Sequence, residues 1–319
     1  MKFKHTFNVF IDNFSVTFKQ LLYRLVIIVI AAVFMSLVIT PYKNALTGSE
    51  DYTNLVNGVK SFLSNLVQGR PTDLGQSTEQ IKTAFDNLLV LVSDNRANIA
   101  WGVVGIVAIY FVEKFFMGLG NYAAAAVVND KMALRANSSF FLTLIRNLKE
   151  ASLYNLMYIP LSMIYDAAIL FGIYFLVFKG LFFLIVPLQL CLFVTLTLFA
   201  ISVKMMFTTD WLPALIRGKK QQGAAFVYTF NRRRKNSLNV LANFFVLTTI
   251  IFLLNVAGAT FSFGAALLIT VPSSYVILLC FEFVNYYDRE ELKYFIDKNT
   301  IIKPDKERPL TREEFFRGE

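Results

Sequence analysis

The sequence predicts an all-α, polytopic integral membrane protein with six transmembrane helices in three hairpins, each preceded by a cytoplasmic amphipathic elbow. Three observations carry that expectation. Six apolar runs approach the roughly 20 residues that a helix needs to cross a bilayer. The 319 residues are 56% hydrophobic, include 33 Phe and are only 17% charged, where soluble chains average about 25% charged residues. The 31 Lys and Arg outnumber the 22 Asp and Glu, and the excess falls in alternate segments between the runs.

The first run, residues 21–40, has Arg24 near its inner end and no charge from Leu25 onward. It lacks a small-residue cleavage site and ends in Ile39-Thr40-Pro41, so it reads as a retained span and not a signal peptide. The second, 99–117, carries Glu113 and Lys114 late in its length; the third, 154–177, is broken by Asp166; the fourth, 181–203, is uncharged. The uncharged stretch from Asn236 to Phe281 is too long for a single span. Ala257-Gly258-Ala259 and Gly264 place a turn in it, which gives spans at 238–256 and 263–283. Residues 1–287 form the membrane domain, and 288–319 form a charged tail.

Basic loops resist translocation, so Lys and Arg set the orientation. Residues 1–24 hold 4 basic and 1 acidic residue, 118–150 hold 4 and 2, and 204–235 hold 8 and 1. The intervening loop at 41–97 holds 5 and 6. The basic segments are expected to face the cytoplasm of a cell-membrane protein, with both termini inside. The net charge of +9 is then an inner collar facing anionic lipid and not a nucleic-acid surface.

The elbows resemble one another. A shift of 85 residues lays Phe141 on Phe226, Lys149 on Arg234, Ser152 on Ser237 and Lys204 on Arg289, and residues 14–24 look like a third, looser copy. Phe and Leu opposite Lys and Arg suit a helix lying in the headgroup layer. There Arg217, Lys219, Lys220, Arg232, Arg233, Arg234 and Lys235 would contact lipid headgroups, at about 1 kcal/mol for each basic residue. In the segment Thr208–Gly218, an Asp or Thr cap, Pro213 and the closing Gly218 spell a short interfacial helix with Trp211 as its anchor.

The external segment 41–97 contains two apolar stripes at helical spacing, Tyr52 to Val67 and Ile81 to Val92. Gly69-Arg70-Pro71 and Leu74-Gly75 separate them. The two helices are expected to fold on each other and on the outer membrane surface; a partner protein is the alternative cover. Gly120 and Ala124, four apart, suit a close helix approach.

Most catalytic constellations are excluded by composition. His5 is the only histidine, Cys191 and Cys280 fall inside predicted spans, and no phosphate-binding glycine motif or HExxH occurs. The chain reads as neither an enzyme nor a cofactor carrier. Asp166 is the informative charge. Counted down from Lys179 it stands about 20 Å into the membrane, and Gln189 about 15 Å down the next span. An Asp166–Gln189 hydrogen bond across the hairpin is expected, either as interhelical glue or as part of a proton or cation relay.

In the tail, Asp288–Asp297 reads as a helical extension of span six, Lys303–Pro309 as an exposed linker and Thr311–Glu314 as a helix start.

Thr209-Asp210-Trp211-Leu212-Pro213, Gly223-Ala224-Ala225-Phe226 and Asn231 to Ser237 together resemble bacterial six-helix membrane proteins of uncharacterised function. These include proteins similar to the membrane domain attached to some glycerophosphodiester phosphodiesterases. The likeness covers about residues 130–290 and implies the elbow-plus-hairpin architecture. The loop at 41–97 departs from that pattern, and no catalytic residue carries over. A non-enzymatic accessory or scaffolding protein engaging anionic lipid or a membrane partner is the function expected; a small transporter built around Asp166 is the alternative.

Overall fold

Asn13 and Asn147 each separate a short amphipathic helix from a long apolar one, and that motif organises the chain. The structure, a computed structural model, describes residues 2–47, 50–67, 71–94, 96–218, 220–231, 237–297 and 299–303. Its helices are α1 (Lys2–Asp12), α2 (Phe14–Thr47), α3 (Glu50–Val67), α4 (Pro71–Asp94), α5 (Arg96–Leu134), α6 (Phe140–Arg146), α7 (Leu148–Tyr174), α8 (Val186–Thr208), α9 (Trp211–Ile216), α10 (Gln222–Asn231), α11 (Ser237–Phe261) and α12 (Leu267–Arg289). A π-helical turn, Phe175–Gly180, continues α7. Among the described residues, six helices are long and apolar enough to span a membrane: α2, α5, α7, α8, α11 and α12. The protein is an all-α polytopic membrane protein.

Each pair of spans follows a short helix: α1 before α2 and α5, α6 before α7 and α8, α10 before α11 and α12. The first elbow is therefore Lys2–Asp12, and residues 14–24, read from sequence as its copy, are the opening turns of span one. The aromatic pattern misled because α2 keeps the same outward face as α1: Phe7, Ile11, Phe14 and Phe18 are all exposed at spacings of three and four.

The chain divides into two compact units, residues 26–114 and the remainder, with α2 and α5 passing through both. In the smaller unit, α3 and α4 pack on each other as expected. Asn65 Nδ2 donates to Ser77 Oγ at 3.2 Å, Ser77 and Ala84 are buried, and a Cβ on Gly58 would stand 3.1 Å from Ile81 Cγ1. Pro71 opens α4, and Gly75, expected to help separate the two helices, lies inside it. Proline is favoured in a helix's first turn, where its missing N–H breaks no bond.

In the larger unit, α12 is the central span. It has 44% of its apolar window buried, against 6–17% in the other five. Its buried face, Val276, Cys280, Phe283, Val284 and Tyr287, meets the Leu119–Met132 stretch of α5 in one core. Phe281 stacks on Phe3 of α1 at 5.6 Å and meets Phe244 of α11 edge-on at 4.9 Å. The exposed apolar side chains on the other spans face the hydrocarbon that a bilayer supplies.

Three local expectations change. The turn between spans five and six falls at Ser262–Ala266, where Phe263 and Gly264 take positive φ, and α11 runs on through Ala257-Gly258-Ala259. Span four, expected over 181–203, starts at Val186, with Pro187 in the first turn of α8. The tail does not extend α12: Glu291 turns to φ 52°, and an antiparallel hairpin follows, pairing Tyr294 with Ile302 and Phe295 with Ile301. Tyr294 donates to Asp288 Oδ1 at 2.7 Å and approaches His5 Nδ1 at 3.0 Å. Burial and the Asp288 carboxylate raise its phenol above the usual range and keep it a donor. Backbone N–H groups of Asn299 and Thr300, each 2.8 Å from Asp297 Oδ1, hold that carboxyl below its usual range. The linker and helix start expected beyond Lys303 lie outside the described residues.

Candidate functional site

One group of polar side chains in the bundle lies on α7 and α8, with Glu282 of α12 within electrostatic reach. Asp166 on α7 is bound by Lys204 of α8, whose ammonium donates to Oδ1 at 2.7 Å and to Oδ2 at 2.6 Å. Ser162, one turn earlier, donates to Oδ2 at 3.4 Å, and the Tyr165 hydroxyl reaches the Ala200 carbonyl at 2.9 Å. Tyr158 stands beside Ser162 and Thr208 and within electrostatic reach of Asp166 and Glu282.

The expected Asp166–Gln189 bond is not formed. Gln189 is buried and donates to the Leu181 carbonyl at 2.9 Å, closing the turn of its own hairpin. The reason is register. The turn occupies Leu181–Ile185 and not Lys179 alone, so Gln189 lies about 5 Å into α8, while Asp166 lies about 21 Å from Gly180. Lys204 is about 27 Å into α8, and its four-carbon stem spans the difference. The sequence signal was present: Lys204 is the first charge after span four, and a Lys at a span's edge can fold its head back along the helix.

Of the Asp or Thr cap that the sequence offers for the short helix, the structure takes Asp210. It is the N-cap residue of α9, but its side chain makes no cap bond; it is 4% exposed and ion-paired with Arg289 of α12. Trp211 is not an interfacial anchor. It is 2% exposed, with Tyr154, Tyr158 and Phe226 around its ring at 5.4, 6.0 and 4.9 Å. Tyr154 and Tyr158 of α7, Phe226 of α10 and the buried face of α12 close over α9, so its apolar side chains pack inside the protein.

Gly218 ends α9, as the sequence predicts, and the space around it explains the glycine. A Cβ there would stand 2.6 Å from the Ala214 carbonyl oxygen and 2.9 Å from the Tyr286 hydroxyl. Backbone cannot give way as a side-chain tip can, so Gly218→Ala is expected to cost about 1–3 kcal/mol. Thermal unfolding in mild detergent checks this; an unchanged midpoint would contradict the packing.

Of the basic residues assigned to lipid, Arg217 lies over the Tyr287 ring at 5.6 Å and Lys220 over Tyr228 at 3.3 Å. Burial and Glu290, which accepts from the Tyr228 hydroxyl, raise that phenol above its usual range. Lys219, Arg232, Arg233, Arg234 and Lys235 lie outside the described residues.

The sequence did not reveal how sharply α6 divides its faces. Phe140 and Thr143 are buried, while Phe141, Leu142 and Ile145 are 53%, 65% and 70% exposed. At 100° per residue these three cover one arc, bordered by Arg146, whose exposed side chain stands 3.8 Å from the Asp130 carboxylate. Among the described residues, no group of three His, Cys, Asp or Glu side chains is arranged to hold a metal ion.

Searched against protein-family models, curated proteins and solved structures, the chain matches none.

Proposed function

We propose that this is a non-enzymatic accessory or scaffolding protein of the cell membrane, with both termini cytoplasmic, whose elbow face engages anionic lipid or a membrane partner. The two-faced burial of α6 carries the reading. An exposed Phe-Leu-Ile arc edged by Arg146 belongs in the headgroup layer, where apolar side chains enter the acyl boundary and basic ones meet phosphate. Arg217 and Lys220, backed by aromatic rings, add cationic groups to the α9 and α10 region. The transporter alternative needs Asp166 to exchange its partner during a cycle. The two short bonds from Lys204 favour packing instead.

Nanodiscs test the reading. With phosphatidylglycerol added to phosphatidylcholine, the thermal midpoint is expected to rise, and the rise is expected to shrink in 1 M salt and in an Arg146→Gln/Arg217→Gln/Lys220→Gln variant. Equal midpoints in both lipids would overturn it.

A further inference from the structure

A polar seam runs from Asn13, the break after the first elbow, along one face of the start of span one. Asn13, Thr17, Gln20 and Arg24, at spacings of four, three and four, are 1%, 1%, 0% and 7% exposed. Gln20 Nε2 and Arg24 Nη2 both donate to Asn121 Oδ1 of α5, each at 2.7 Å. The Arg24 guanidinium lies 3.6 Å from the centre of the Tyr275 ring of α12. No carboxylate pairs with Arg24 among the described residues. Its Nε is buried without an acceptor, the Thr17 hydroxyl is likewise unpartnered, and Gln20 Oε1 lacks a donor.

Arginine keeps its charge in proteins, and a buried charge without a counter-ion is strongly unfavourable. We infer that Arg24 is the anchor of a phosphate-anion site between α2, α5 and α12, with Tyr275 as its half-exposed wall and Asn121 fixing the guanidinium plane. Arg24 stands 16 residues, about 24 Å, before the end of the span at Thr40. Helix side chains lean toward the N-terminus, which brings the guanidinium to the level where phosphodiesters of one leaflet lie. Asn121 takes Nη2, and Nε is left as a buried guanidinium donor with no acceptor, a charged donor that a phosphate oxygen suits. The assignment of a lipid source rests on the lipid-engaging reading above; inorganic phosphate shares the chemistry.

Native mass spectrometry of the full chain, taken through stepwise delipidation with phosphatidylglycerol present, tests the site. Wild type is expected to retain one tightly held phosphatidylglycerol per chain, Arg24→Gln to lose it, and Arg24→Lys to hold it more weakly. The Arg146/Arg217/Lys220 triple variant is expected to keep that lipid while losing its bulk preference for anionic membranes, which separates this site from the collar. Inorganic phosphate added to the delipidated protein reads the other source: stabilisation of wild type but not of Arg24→Gln, without lipid retention, assigns a soluble anion to the same site. Folded Arg24→Gln retaining lipid and responding to phosphate as wild type does would overturn the inference. If that variant does not fold, an Arg24→Lys protein indistinguishable from wild type in both measurements overturns it equally.

Discussion

Replacing Lys204 by Met is expected to destabilise the protein by about 3 kcal/mol, because it strands the Asp166 carboxylate between α7 and α8 without its countercharge. The pair is one ammonium on both carboxylate oxygens, with the Lys204 side chain 17% exposed and that of Asp166 45%. At this depth the exposed part of Asp166 has little water to fall back on. Removing both charges removes both desolvation penalties, so Asp166→Leu with Lys204→Met is expected to recover most of the loss. A double-mutant cycle on thermal or denaturant unfolding reads the coupling directly. Strictly additive losses would show that the two residues do not depend on each other.

Gly120→Val is the second large effect. A Cβ at Gly120 would stand 2.6 and 2.7 Å from Cε1 and Cδ1 of the Tyr23 ring. That ring is held in place by its hydroxyl, which donates to the Phe116 carbonyl at 2.8 Å. Two turns of α5 thus fix one aromatic of α2, and a branched side chain between them must push the helices apart. Overpacking costs about 1–3 kcal/mol, and a β-branched residue against a ring tethered at its hydroxyl and packed edge-on against Phe140 belongs at the upper end. Loss of monodisperse protein on gel filtration, partly rescued by Tyr23→Ala, is the expected result. Full stability of Gly120→Val alone would contradict the close approach.

What sequence could show here follows from the reach of each signal. Apolar runs and the Lys and Arg spacing are local, so the six spans, the α3–α4 pair and the small-residue approach at Gly120 were legible. Elbow placement was less so, since α1 and the start of α2 share one apolar face and no charge pattern marks Asn13 as the break. The Asp166 partner was missed because hairpin register depends on turn length, and a turn read at Lys179 instead of Leu181–Ile185 moves every cross-hairpin pair by several residues. Trp211 misled for a different reason: its composition suits the membrane interface, and only the packing of Tyr154, Tyr158 and Phe226 around it places it in the protein core. The Arg24 seam has a helical period, but on sequence alone a polar stripe at a span's end reads as a solvated face.

On the proposed function, the elbows lie in the membrane interface and not in water. Nitroxide labels placed singly at positions 141, 145 and 146 of α6, with Cys191 and Cys280 replaced, measure this in vesicles through collisional accessibility to oxygen and to a water-soluble nickel chelate. Labels at Phe141 and Ile145 are expected to be reached by oxygen and shielded from nickel, with the label at Arg146 at headgroup depth. Nickel accessibility at Phe141 and Ile145 equal to that at Arg146 would contradict it.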